Sequence, residues 1–154
     1  MRRAPMARFA AILEIPLERA EDAILDVEAG PPGPGRVWLL GESSGAVTGG
    51  PERFTVAQDH YRLTVEVDRA RRTIATQGGW WYRGEYTLDR EGPRTRLTHR
   101  IYNVASAASR WAVPLANRFF IGFEDQSRRA FADTVRDVGE RLGCEVRVLD
   151  TVAA

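Results

Sequence analysis

The chain contains no lysine: all 22 of its Lys+Arg residues are arginine. That absence excludes Schiff-base and pyridoxal-phosphate enzymes, a Walker phosphate loop and the strand lysine of a protein kinase, all of which need an ε-amino group. Cysteine is almost as scarce. A single Cys144 cannot close an internal disulfide or build a cysteine-rich zinc site. Only two histidines are present, His60 and His99, with no close-spaced ligand pair around them, so no metal or other cofactor is expected. No apolar run approaches the roughly 20 residues that span a bilayer, and no apolar core follows Met1-Arg2-Arg3 as it would in a secretory signal. The expectation is a cytoplasmic protein with no membrane span.

An excess of charge of one sign is also missing. The 22 arginines face 21 acidic residues for a net charge of +1. They therefore read as paired surface charge and not as a nucleic-acid footprint, and nucleic acid is not an expected partner. What is present is an ordinary globular composition, 44% apolar and 28% charged over 154 residues. That suits one domain over residues 1–154 with its own core. Residues 1–6 read as a flexible N-terminus and 144–154 as a tail, in which Cys144 to Leu149 alternates as a short edge strand would.

Periodicity changes along the chain. Arg8 to Ile15 alternates as a strand, and Pro16 stands where a first helical turn tolerates it. Leu17, Ala20, Ile24 and Val27 then mark an amphipathic helix stopping near Gly30. A Pro/Gly breaker follows, then a short apolar strand, Val37-Trp38-Leu39-Leu40. Gly41 to Pro51 reads as a loop. From Glu52 the pattern is a meander: Phe54-Val56, Leu63-Val65-Val67, Ile74-Thr76, Trp80-Tyr82-Tyr86-Leu88 and Leu97-Ile101, separated by turn residues. One-sided alternation of this kind marks antiparallel strands with one buried face. Phe120, Phe123, Ser127, Phe131, Val135, Val138 and Leu142 then recur at helical spacing up to Gly143, with Trp111, Leu115 and Phe119 extending the stripe upstream. A long sheet must curl, and one helix covers only part of its concave face, which leaves a cavity between the two.

Three segments carry a family resemblance: Ile15-Pro16 entering the first helix, the strand pair Gly79–Tyr86 and Leu97–Val104, and the long closing helix. In this order they resemble the helix-grip fold of the START-like (SRPBCC) superfamily, which includes polyketide cyclases. The resemblance implies an α+β fold. A curved antiparallel sheet of about six to seven strands would wrap around the C-terminal helix, with a short helical segment after the first strand. It also implies an apolar pocket for a lipid, a polyketide or another hydrophobic small molecule, without fixing an activity.

Alternation places Trp80, Tyr82, Gly84, Tyr86 and Leu88 on the inner face and Trp81, Arg83, Glu85 and Thr87 on the outer. Gly84 leaves a gap in that wall, for ligand or for a helix residue. His99 shares an inward face with Leu97, Ile101 and Asn103. An imidazole there could orient a ligand or move a proton, or simply be satisfied within the core. The expected lining is therefore Trp80, Tyr82, Tyr86, His99, Ile101 and Asn103 on the sheet side. Trp111, Leu115, Phe119 and Phe123 join from the helix, and Phe54, Leu63, Val65 and Ile74 from the other strands. The mouth is expected near Gly30–Gly35 and Gly41–Pro51. Three functions follow: a carrier of a hydrophobic ligand, a cofactor-independent cyclase or dehydratase with His99 and Tyr82 as proton shuttles, and a protein-interaction module with a filled cavity. Trp81 among outer-face arginines suggests cation–π packing or a homodimer contact. Gly41-Glu42-Ser43-Ser44-Gly45 matches the G-x-S-x-G elbow of serine hydrolases, but the glycines and proline that follow deny it the required helix. His60, beside Asp59 at a turn, reads as solvent-exposed.

Overall fold

The computed structural model describes residues 4–33, 35–43, 45–57, 59–110, 112 and 122–150, with 41–43 described in backbone only. Strand β1 (Ala7–Leu13) leads into helix α1 (Leu17–Ile24) and a 3-10 helix (Trp38–Ser43). Six strands follow in succession: β2 (Ala46–Gly49), β3 (Arg53–Ala57), β4 (Arg62–Asp68), β5 (Thr73–Gly78), β6 (Tyr82–Glu91) and β7 (Arg94–Asn103). Helix α2 (Phe123–Leu142) and strand β8 (Val146–Val148) complete the order. All eight strands form one antiparallel sheet in the order β2-β3-β4-β5-β6-β7-β1-β8. The class is α+β, with a long helix toward the C-terminal end packed on one face of the sheet.

Eight strands exceed the six to seven expected, and both additions lie at the edges. β2 falls inside Gly41–Pro51, which reads as a loop because it holds Gly41, Gly45, Gly49 and Gly50. Gly49 and Gly50, at φ +98° and +118°, let the chain reverse tightly into β3. β8 is the edge strand that the alternation of 144–149 allowed. The first helix ends at Ile24 and not near Gly30. Val27 instead forms a bridge with Val37, and Gly30 bridges Val47, covering the β2 edge. Val37–Leu40 is not a strand. Past Val37 the chain turns into the 3-10 helix, with Leu40 N–H donating to the Val37 carbonyl at 3.0 Å. A short apolar run carries too little periodicity to separate strand from buried helical turn. Here Leu39 is buried, with Trp38 and Leu40 packed against the core.

Because paired residues share a face, the register defines inner rows across the strands. One row runs Phe54, Val65, Thr76, Gly84, Ile101, Ala7. The next runs Val67, Ile74, Tyr86, His99, Phe9, and a third holds Leu88, Leu97 and Ala11. α2 lays Phe131, Val135, Val138 and Leu142 onto these rows from the opposite layer. Its ends are built by the expected physics. Glu124 and Asp125 occupy the positive first turn, Arg141 the negative last turn, and Gly143 ends it in the left-handed conformation at φ +65°.

α1 has eight residues, too few for stability alone, so it depends on its apolar side and its ties. Leu17, Ala20 and Ile24 are buried. Glu18 pairs with Arg90 and Glu21 with Arg72, while Arg19 donates to the Leu142 carbonyl at 2.6 Å. Arg141 donates to the Trp38 carbonyl and lies 4.7 Å above the Trp38 ring, joining α2 to the 3-10 helix. The helical layer is thus held by arginines reaching backbone carbonyls as well as by apolar packing.

Candidate functional site

His99 stands at the middle of the inner face. Tyr86 on β6 and Phe9 on β1 are its direct cross-strand neighbours, so three adjacent strands place three rings in one row. The Tyr86 and His99 rings stack at 4.0 Å between centroids and 3° between planes. Phe131 descends from α2 at 5.9 Å from His99, 6.5 Å from Tyr86 and 5.8 Å from Phe9. Arg128, one helical turn earlier, holds its guanidinium carbon 5.5 Å above the Phe9 ring. The result is a four-ring cluster with a guanidinium at its rim.

The histidine in this cluster is only 5% exposed, and neither Nδ1 nor Nε2 has a hydrogen-bond partner among the described residues. Burial removes the water that would stabilise an imidazolium and pushes the His99 pKa down to about 4. The ring is therefore neutral at neutral pH, with one N–H and one lone pair unmet among the described residues. Each such orphan costs about 1–3 kcal/mol.

Tyr82 brings a second polar atom to the same place. A Cβ built on Gly84 would lie 2.6 Å from Tyr82 Oη and 2.9 Å from His99 Nε2. The gap expected in the wall is thus taken up by the ends of Tyr82 and His99 themselves, and it is glycine that lets the two approach. Burial raises the Tyr82 phenol above its ordinary pKa, and burial raises Tyr86 further, so both stay neutral. No Asp or Glu occupies the inner rows around them. The group is two neutral hydrogen-bonding side chains on an aromatic floor.

Of the other expected lining residues, Phe54, Val65, Ile74, Tyr86 and Ile101 are buried on the inner face, and Leu63, Tyr82, Asn103 and Phe123 are half-buried. Asn103 Oδ1 accepts the Ala105 N–H at 3.0 Å, which closes the turn leaving β7. Trp111, Leu115 and Phe119 lie outside the described residues. Two assignments are corrected. Trp80 is 52% exposed, whereas Trp81 turns inward, edge-on to Tyr82 at 5.7 Å and 5.9 Å from Phe123. The cause is that β6 begins at Tyr82, so strand alternation does not extend back into the turn after Gly78 and Gly79. Trp81 is accordingly no outer-face contact among arginines. Phe9 and Phe131 were absent from the expected lining. The alternation of β1 and the i,i+4 ladder of α2 had already put both on buried faces.

The outer face carries charge ladders: Glu66 bridges Arg83 at 2.7 Å and Arg53 at 3.0 Å, and Arg96 pairs with Glu91 at 2.8 Å. A polar basin of about 1180 Å³ opens on this face, floored by residues such as Glu66, Arg83, Glu85, Arg100 and Tyr102. A second, more apolar groove of about 520 Å³ lies between α2 and β8. Ser43 ends the 3-10 helix and is followed by strand β2 with no helix, so the strand-to-helix turn of a hydrolase elbow is not formed. His60 is exposed in the β3–β4 turn. Among the described residues no three His, Cys, Asp or Glu side chains gather in a way that could hold a metal ion, and no helix is long and apolar enough to cross a membrane. Comparison of the chain with protein-family models, with curated proteins and with solved structures finds no match.

Proposed function

We propose that this protein binds a hydrophobic small molecule, a lipid, polyketide or aromatic metabolite, between the inner face of the sheet and α2, as the resemblance to the helix-grip START-like superfamily implies. The observation that carries the reading is the buried His99, both of whose ring nitrogens lack a partner among the described residues, beside the Tyr82 hydroxyl. Folded chains pair their buried polar groups, and an orphan of this kind is explained by a partner that arrives from outside. A flat apolar ligand bearing one oxygen would meet the aromatic rings by area and the imidazole by a hydrogen bond. Turnover by proton shuttling is the weaker form of this proposal, because no carboxylate faces His99 and a pKa of about 4 makes it a poor base at neutral pH.

A filled interior serving a protein-interaction module is supported by one observation: Phe131 lies over His99 and Tyr86, where a ligand would otherwise lie. One experiment separates the two. Protein purified from its own host is extracted with organic solvent for mass spectrometry, and the His99 ring nitrogens are followed by NMR before and after extraction. A stoichiometric apolar molecule whose removal shifts the His99 resonances supports the ligand reading. An extract without one, with unchanged resonances, refutes it and leaves the filled interior.

A further inference from the structure

The two edges of the sheet are finished differently. β2 is covered by the backbone of Gly30, which exchanges hydrogen bonds with Val47 at 2.8 and 2.9 Å. β8 is not covered. Glu145 accepts from Glu14 N–H at 3.0 Å and Leu149 N–H donates to the Ala10 carbonyl at 2.9 Å, so the backbone of 145, 147 and 149 is turned toward β1. By alternation Val146 and Val148 turn their N–H and C=O groups to the open edge, and among the described residues nothing receives them. Val148 is also 38% exposed, one of only four large apolar side chains so exposed among the described residues. The groove beside it is lined by Ala132, Gly139, Val146 and Val148, with Arg136 and Glu140 on its helix side. An open strand edge above an apolar groove is a template for another strand.

We propose that β8 is a homodimer interface, in which two copies pair their β8 strands antiparallel about a two-fold axis through Val146. The charge pattern selects the occupant. Residues on either side of Val146 are Glu145 and Arg147, both exposed and both on the outer face. A two-fold at Val146 sets Glu145 opposite Arg147 of the second copy, twice. It also makes Val146 the hydrogen-bonded pair, which its edge-facing backbone requires. Centring on Arg147 would oppose two arginines and turn its N–H and C=O away from the partner. On the helical side Val146 packs against Gly139 of α2, where an added Cβ would overlap Val146 Cγ2. The β8 charge pattern is therefore self-complementary, as an isologous contact demands. The resulting sheet runs continuously through both copies, and Val148 and the groove are covered.

The test is sedimentation velocity on the full chain and three variants, over roughly 1 µM to 1 mM, the range of weak to moderate affinities. Wild type is expected to dimerise with rising concentration. Glu145→Arg alone and Arg147→Glu alone each replace two attractive pairs by two repulsive ones, which should weaken the dimer roughly tenfold to a hundredfold. The combined Glu145→Arg/Arg147→Glu variant restores opposite charges in swapped positions and should recover the dimer. That recovery separates the proposal from any general effect of mutation on folding. A chain monomeric throughout, or a dimer indifferent to the single reversals, overturns it, as does a double variant no better than the singles.

Discussion

Replacement of His99 by Phe tests whether the imidazole is buried and neutral in the ligand-free protein. The ring-on-ring contacts with Tyr86 and Phe131 survive the change, while the two orphan polar atoms and the titration disappear. The magnitude comes from the gap between the ordinary imidazole value of 6.5 and the folded value of about 4. Between these values the unfolded chain binds a proton that the folded chain refuses, so stability falls as pH drops from about 6.5 toward 4 and is fully regained above about 6.5. Tyr82 and Tyr86, both raised by burial, remain neutral across that window and do not titrate with it. At pH 4.5 the penalty amounts to about 2–3 kcal/mol relative to pH 7.5. The assay is urea unfolding of both proteins at several pH values, compared as the difference between variant and wild type. That difference should grow in favour of Phe by about 2–3 kcal/mol on acidification, roughly 5–10 °C in Tm for a chain of this size. Any constant cost of fitting a larger ring beside Tyr82 cancels in the comparison. Parallel pH profiles would refute the assignment, since they would mean that His99 binds its proton equally well folded and unfolded.

Gly84→Ala inserts a methyl group 2.6 Å from Tyr82 Oη and 2.9 Å from His99 Nε2 and should cost about 1–3 kcal/mol in denaturant unfolding. In a Tyr82→Phe background, which deletes the clashing oxygen, the same substitution should cost clearly less; additive effects would contradict the packing described. Gly139→Ala should destabilise α2 although alanine is the better helix former by about 1 kcal/mol, because its Cβ would overlap Val146 Cγ2 and come within 3.0 Å of the Cys144 carbonyl. A thermal melt showing that variant more stable would sink the explanation.

The meander and the closing helix were legible because each repeats one period over many residues. Tyr82 to Leu88 and Leu97 to Ile101 alternate over a single buried face, and Phe123 to Leu142 keeps its helical stripe. The errors fall where a period has no length to establish itself. Val37–Leu40 offers four apolar residues that serve a 3-10 turn as well as a strand. β2 owes its pairing to the backbone of its neighbours more than to its own side chains. Trp80 and Trp81 differ from the alternation because both lie in the turn of residues 79–81 between β5 and β6, where strand parity no longer holds. His99 and Tyr82 could be placed on the inner face from parity alone. Their convergence over Gly84, and the stacking of Phe131 on His99, depend on rotamers and on the depth at which α2 sits, which no one-dimensional pattern encodes.

The position of β1 between β7 and β8 has a consequence for how the chain is made. Ala7 pairs with Ile101 and Leu13 with Val146, so β1 leaves the ribosome long before either neighbour exists. Strands β2 to β7 can zip through successive hairpins, whereas β1 waits on contacts of high sequence separation, which are slow to form. In the interval it is an unpaired apolar segment, Phe-Ala-Ala-Ile-Leu, with both edges open. Such a segment invites aggregation or capture by a chaperone. Phe9 also supplies part of the surface on which Phe131 packs, so α2 cannot seat fully until that strand is in place. β1 is thus made before the strands that flank it and is among the last to be secured.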